Sequence, residues 1–255
     1  MLILLPPSEG KASPPRGARL DLDGLSFPGL NPTRRRILSA LVRLCRDDQG
    51  EAMSILGLGP RQSGEVSANA GLRTAPAGPA IEVYSGVLYE ALDVATLDAA
   101  ARRRLNRMVA ISSALFGLLR PCDRIPAYRL SAEVDLPRLG TLPSIWRPAI
   151  SNELAARSDL IWDLRSAAYA SLGPAPKAPS TVTSRVLLER AGRRSVVSHH
   201  NKATKGRLVR ALVEHGSKAT TVSQLAGDLM DLGFSCESRI DPGKPAMLDV
   251  IVKEV

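Results

Sequence analysis

The chain opens on an unbroken apolar run, Met1-Leu-Ile-Leu-Leu5, that stops at Pro6-Pro7. A run this short, ended by two residues that cannot extend a ladder, predicts a buried strand. It has no basic flank before it and no small-residue cleavage site after it, so it does not read as a secretory leader. Pro6 to Pro28 then loses all periodicity and predicts an irregular loop, opening with the polar cluster Ser8-Glu9-Gly10-Lys11. From Asn31-Pro32 the period turns helical: Ile37, Leu38, Leu41, Val42 and Leu44 line one face. Asn31 is expected to cap this helix, with Pro32 in the first turn, where a missing N–H costs nothing. Glu51 to Leu56 and Pro60 to Ala70 predict two shorter helices joined by Gly57-Leu58-Gly59, so that residues from about 31 to 72 form a helical excursion.

Further along, a helix is predicted near Thr96 to Asn106, and the apolar run from Met108 to Ser112 predicts a buried strand. Leu160 to Leu164, Ser195 to Ser198 and Met247 to Val252 predict three more strands; Lys205 to Glu214 and Val222 to Leu232 predict two more helices. No fixed-period repeat or low-complexity tract interrupts the pattern. Because strands recur from one end of the chain to the other, the sheet draws on both. The expectation is an α/β (mixed α+β) fold with a mixed sheet, residues 1–255 forming a single compact domain.

The chain's 255 residues, 44% of them hydrophobic, suffice for a full core without disulfides. Cys45, Cys122 and Cys236 are odd in number and far apart, with no paired spacing of the zinc kind, which fits a reduced, cytoplasmic protein without a metal site. No run approaches the roughly 18 apolar residues of a membrane span. GxxxxGK[ST], GxGxxG after a strand, and HExxH are all missing, so NTP hydrolysis, Rossmann cofactors and zinc proteolysis are disfavoured and no cofactor is expected. Charge adds something: Lys plus Arg total 34 against 25 Asp plus Glu, a formal net charge of +9, and 27 of the 34 are Arg, whose planar fork matches phosphate. An anionic partner fits this balance, although Arg34-Arg35-Arg36 and Arg102-Arg103-Arg104 lie on predicted helices and read equally well as solvated faces.

Three segments carry candidate chemistry. In Ile111 to Leu130 a strand runs into a Gly-Leu-Leu-Arg-Pro turn, after which Arg120, Asp123, Tyr128 and Arg129 could hold an anion or a nucleobase, Tyr128 supplying a stacking face; the plainer reading is that Arg120 and Asp123 pair to fix the loop. At Gly57-Leu58-Gly59 two glycines leave backbone N–H groups unobstructed before a helix, and Arg61 adds charge, although most such hairpins are ordinary caps. Lys202, Lys205, Arg207 and Arg210 follow a predicted strand, and positive charge beside a helix amino terminus opposes the dipole unless an anion binds. Adjacent His199 and His200 on a strand would face opposite ways and share no metal. Cys122, between Arg120 and Arg124, reads as a small packed side chain.

Ser112 to Leu130 resembles the signature of the peroxide stress protein YaaA family. Other blocks resemble the family in the same order: Met1 to Lys11, Tyr84-Ser-Gly-Val-Leu-Tyr89, Trp146, Asp163 to Tyr169, and Lys202-Ala-Thr-Lys-Gly206 with Arg210. Phe116 stands where a tyrosine is common, Lys205 where an arginine is common, and Glu9-Gly10-Lys11 where other members carry alanine, lysine and threonine. The resemblance implies a cytoplasmic protein of the oxidative-stress response that limits damage from peroxide and intracellular iron, with a mixed α/β fold, DNA binding, and a helix-hairpin-helix element beside a basic cleft. Residues 51 to 70 are the candidate for that element.

Two functions follow as expectations. In the first, Gly57, Gly59, Arg61, Lys202, Lys205, Arg207 and Arg210 hold phosphates of DNA with little sequence preference, and Arg120 to Arg129 read an exposed or distorted base. In the alternative, the protein is an enzyme on a nucleobase or nucleotide, glycosylase-like, with Glu9 or Lys11 as acid, base or nucleophile. Its pocket is completed by Asp123 and Tyr128 and lined by Ser8, Tyr84, Arg120 and Arg129.

Overall fold

A computed structural model describes residues 1–190, 193–196 and 199–253. Eight strands build its main sheet: β1 (Leu2–Leu5), β2 (Val109–Ser113), β3 (Gly117–Leu119), β4 (Ile161–Asp163), β5 (Thr181–Arg190), β6 (Arg193–Val196), β7 (Ser235–Arg239) and β8 (Ala246–Lys253). Their order is β7-β8-β5-β4-β1-β2-β3, with β6 paired to the far end of β5. The five central strands are mutually parallel, while β3, β6 and β7 join antiparallel. The amino-terminal run thus lies in mid-sheet, with all four of its residues fully buried, as a near-continuous apolar strand of a parallel sheet must be. The two ends of the chain share this sheet, as the scatter of predicted strands implied.

Helices cover the sheet: α1 (Asn31–Asp47), α2 (Gln49–Ile55), α3 (Ser63–Ala70), α4 (Ala80–Val83), α5 (Val87–Leu92), α6 (Ala99–Met108), α7 (Leu142–Ala155), α8 (Ala167–Ser171), α9 (His199–His215) and α10 (Val222–Asp231). The predicted face of α1 is buried. Asn31 does not cap it: a short 3-10 turn at Pro28–Leu30 leads in, Leu30 holds the cap position, and the Asn31 side chain instead accepts from Arg34. Arg34 itself, one of a triplet that read as solvated, is fully buried. Its guanidinium donates to the carbonyls of Phe116 (2.9 Å), Leu118 (2.6 Å) and Ser26 (2.8 Å), fastening α1 to the β2–β3 hairpin. The Gly-Leu-Leu segment, expected as a turn, is strand β3, and Gly117 (φ +75°) admits the Trp146 ring, from which a Cβ would stand only 2.8 Å.

Strand β5 was not expected at all, although it bonds to β4, β6 and β8. Helix α9 starts six residues before its predicted start, so His199 and His200 begin a helix and not a strand. Val197 and Ser198, part of a predicted strand, lie outside the described residues. Gly206 lets α9 approach α5: a Cβ there would meet the Leu88 carbonyl oxygen at 2.2 Å. Among the described residues no helix is long and apolar enough to cross a membrane.

Candidate functional site

Strand β1 runs into Pro6, β2 ends at Ser113 and β4 runs into Leu164, so three parallel strands present their carboxyl ends together. The chain leaves β1 toward β2 on one side and leaves β4 toward β5 on the other. That makes the β1–β4 boundary a topological switch point, where an open α/β sheet leaves a crevice. The loop after β1 folds back onto the segment around Tyr84. Lys11 forms a β-bridge with Tyr84, the Ala12 N–H donates to the Val83 carbonyl (2.8 Å), and the Ser85 N–H donates to Gly10 O (3.2 Å) and Ser8 Oγ (2.9 Å).

These bonds set the Lys11 ammonium above two aromatic faces, 4.4 Å from the Tyr128 ring centre and 5.6 Å from that of Tyr84. The Nζ atom donates to the carbonyl oxygens of Ser8 (3.0 Å) and Glu9 (3.2 Å). Burial, followed by the positive charge of Arg129, lowers the Lys11 pKa from 10.5 to about 8, against the opposing pull of Glu65 and Glu9. Glu65 lies on α3, which also carries Asn69; the Asn69 amide donates to Arg129 O (2.8 Å) and accepts from Arg129 N–H (2.9 Å). The helical excursion therefore builds one wall of the site. Arg129 reaches Glu9 only loosely, at 3.6 Å, and the Glu9 side chain is 81% exposed.

A buried hydroxyl chain runs beneath the lysine. Tyr84 OH lies 2.9 Å from Tyr128 OH, which lies 2.7 Å from Ser113 Oγ; that oxygen accepts the Phe116 N–H (2.9 Å). Tyr89 stacks on Tyr84 and donates to Pro6 O (2.7 Å). Burial pushes the Tyr84, Tyr89 and Tyr128 phenols well up, so they remain neutral donors at physiological pH. Lys205 also comes to this end of the sheet, donating to Leu164 O (2.9 Å), and burial lowers its pKa against the opposing charge of Asp163. Asp163 and the fully buried Arg165 side chain make a two-bond ion pair (2.7 and 2.8 Å). Ser8, Glu9, Lys11, Tyr84, Tyr128 and Arg129 are thus brought together.

Arg120 and Asp123 are not brought to them. Asp123 accepts from Ser26 N–H (3.1 Å), Ser26 Oγ (2.8 Å) and Arg120 N–H (2.9 Å), tying the loop before α1 to the turn after β3. The Arg120 guanidinium lies over Phe27 and donates to the carbonyls of Arg107 and Val109, both at 2.9 Å. Val109 begins β2 and Ser113 ends it, a separation of about 13 Å along an extended strand. Cys122 is exposed and not packed.

The basic segments are also partly committed. At the hairpin, Gly57 N–H donates to Ser54 O (3.2 Å), Leu58 N–H to Met53 O (2.9 Å) and Gly59 N–H to Gln62 Oε1 (3.1 Å), so these three amides already have acceptors. Glu133 and Asp135 line a cavity of about 400 Å³ beside Gly57. Arg210 clamps the turn after α5 through Leu92 O (3.1 Å), Asp93 O (2.9 Å) and Thr96 Oγ1 (2.9 Å) and pairs with Glu214. Arg61, Lys202 and Arg207 remain exposed. Among the described residues no cluster of His, Cys, Asp and Glu is placed to hold a metal ion. Glu65, Asn69, Ser113 and Arg165 are not singled out by the sequence: the first two sit in a helix with no chemical spacing, and the others lie inside the Ser112–Leu130 and Asp163–Tyr169 blocks with no motif of their own.

A family model described as peroxide stress protein YaaA matches residues 1–238. The chain is 49% identical to a UPF0246 protein of Streptomyces coelicolor, with all of both chains covered. It is 44% identical to a UPF0246 protein of Corynebacterium efficiens over 99% of this chain and all of the other, and 35% identical to one of Cereibacter sphaeroides over 54% and 56%. The colinear blocks around Lys11, Tyr84, Tyr128 and Lys205 therefore belong to one full-length pattern, and the chain is a member of the YaaA (UPF0246) family of peroxide stress proteins.

Proposed function

We propose that the protein serves peroxide defence as an enzyme on a nucleobase or nucleotide bound at the Lys11 crevice. The observation that carries this reading is Lys11 itself: an amine lowered to about 8 over two tyrosine faces, at the switch point of a parallel sheet. A desolvated amine held there costs stability, which functional sites often carry. Arg129 suits a phosphate, while Tyr128, expected to stack on a base, is buried with Tyr84 beneath Lys11, and the two rings hold the amine instead. The test is a screen of nucleosides, nucleotides and oxidised bases for binding and turnover, in the parent and in Lys11→Arg. Turnover or binding lost in the variant supports the reading, and a complete panel with neither refutes it.

DNA binding is the second reading, favoured by the exposed Arg61, Lys202 and Arg207 on a chain of net charge +9. On this reading the hairpin contributes mainly through Arg61, since its glycine amides are already bonded. A salt titration on duplex, junction and single-stranded DNA checks it: affinity falls steeply with salt, and Lys202→Ala/Arg207→Ala lowers the slope by about 1–2. No binding at low salt refutes it. Three free cysteines and the family's peroxide connection support a cytoplasmic location for this work.

A further inference from the structure

We infer that Lys11 is a carbonyl-reactive amine, which condenses through Nζ with the aldehyde of a ligand whose phosphate is held by Arg129. The inference rests on the reading of this crevice as the ligand site and adds the reaction type and the substrate class. Its geometric basis is the hydrogen-bond count. A neutral amine has two hydrogens and one lone pair, and the carbonyls of Ser8 (3.0 Å) and Glu9 (3.2 Å) take both hydrogens, which leaves the lone pair directed away from the loop. Lys11 is only partly buried. The charged groups facing it are Arg129, which disfavours the ammonium, and Glu65 on α3 and Glu9 on its own loop, which favour it; Tyr84 and Tyr128 face it as neutral rings. Desolvation next to another cation is the setting in which lysine becomes a nucleophile. At pH 7.5 a lysine with a pKa of about 8 has on the order of a hundredfold more free amine than one at 10.5.

In the step itself, the nitrogen lone pair forms the N–C bond as the carbonyl π pair moves to oxygen. The two amine protons pass to that oxygen, water leaves, and the C=N bond forms, with no net oxidation or reduction. Arg129 is free to take the phosphate because its contact with exposed Glu9 is long. An aldehyde next to phosphate has two sources: a deoxyribose in a DNA strand that has lost its base, or a small free phosphoaldehyde.

The test is borohydride trapping on the full chain, read by intact mass and peptide mapping. The probes are an oligonucleotide with one abasic site, glyceraldehyde 3-phosphate, and the undamaged oligonucleotide. One adduct at Lys11 is expected, at least about tenfold above the exposed Lys177, Lys202, Lys218 and Lys244, rising with pH through a midpoint near 8 and lost in Lys11→Arg. The first two probes tell the sources apart, and trapping with either supports the inference. Adducts distributed by exposure, or equal trapping in Lys11→Arg, overturn it; the pH profile of the parent needs no variant to fold. Nucleotide binding measured without reductant separates the two failures: binding without trapping sinks the imine alone, and neither binding nor trapping sinks the crevice reading as well.

Discussion

Replacing Lys11 with methionine should stabilise the protein. Methionine keeps the length and apolar stem of lysine and removes the charge that the site tolerates poorly. A fall in pKa from 10.5 to about 8 corresponds to about 3 kcal/mol of cost carried by the ammonium in the native state. Because the side chain is partly exposed, solvent screening reduces the expected gain to about 1–2 kcal/mol. The carbonyls of Ser8 and Glu9 lose a donor but lie near water, so little is given back. The pH dependence has a definite sign. Below pH 8 Lys11 is protonated in both native and unfolded chains, and the variant holds its full advantage. Between pH 8 and 10.5 the native protein releases the proton first, the parent gains stability with rising pH, and the advantage closes. Urea unfolding of both proteins at pH 7, 8, 9 and 10 measures this directly. A methionine variant that is less stable at pH 7, or a difference that stays flat to pH 10, would refute the claim that Lys11 is a strained charge.

Three other substitutions probe the framework around the site. Arg34→Met strands the Phe116 and Leu118 carbonyls inside the β2–β3 hairpin and should cost about 3–5 kcal/mol in urea unfolding; a cost below about 1 would mean that water reaches them. Gly206→Ala places a Cβ 2.2 Å from Leu88 O and should lower thermal stability by about 2–4 kcal/mol, so an unchanged melting temperature contradicts the α5–α9 approach described above. Asp123→Ala leaves Ser26 and Arg120 without their acceptor and should cost about 2–3 kcal/mol, while imine trapping at Lys11 in the folded fraction is unchanged. Trapping lost in that variant would return Asp123 to the site.

Periodicity located the elements whose burial is one-sided or complete. Helix α1 showed its apolar face, and β1, β2 and β8 showed their apolar runs. Strand β5 was invisible because its polar residues are satisfied by particular neighbours: Ser184 accepts from Trp162 Nε1 (2.6 Å) and Arg185 pairs with Asp249 (2.6 Å), so the strand needs no alternating pattern. Strand β3 read as a turn because a Gly-Leu-Leu segment becomes a strand only once β2 lies beside it. The first turn of α9 is not legible because His199 to Lys202 offers no apolar period.

The candidate site divides the same way. The residue types that do chemistry, Ser8, Glu9, Lys11, Tyr84, Tyr128 and Arg129, were legible as dense polar clusters at the ends of apolar runs. Which of them meet was not. Asp123 and Arg120 are closer in sequence to Tyr128 than Lys11 is, yet they serve the opposite end of β2. Lys11, Tyr84 and Tyr128 converge, with Lys205 at the same end of the sheet, because β1, β2 and β4 end side by side. Local pattern determined the elements with one-sided or complete burial and the chemical inventory. Strand order, a sum of long-range contacts that no short window contains, decided that Lys11 would lose its water beside Arg129.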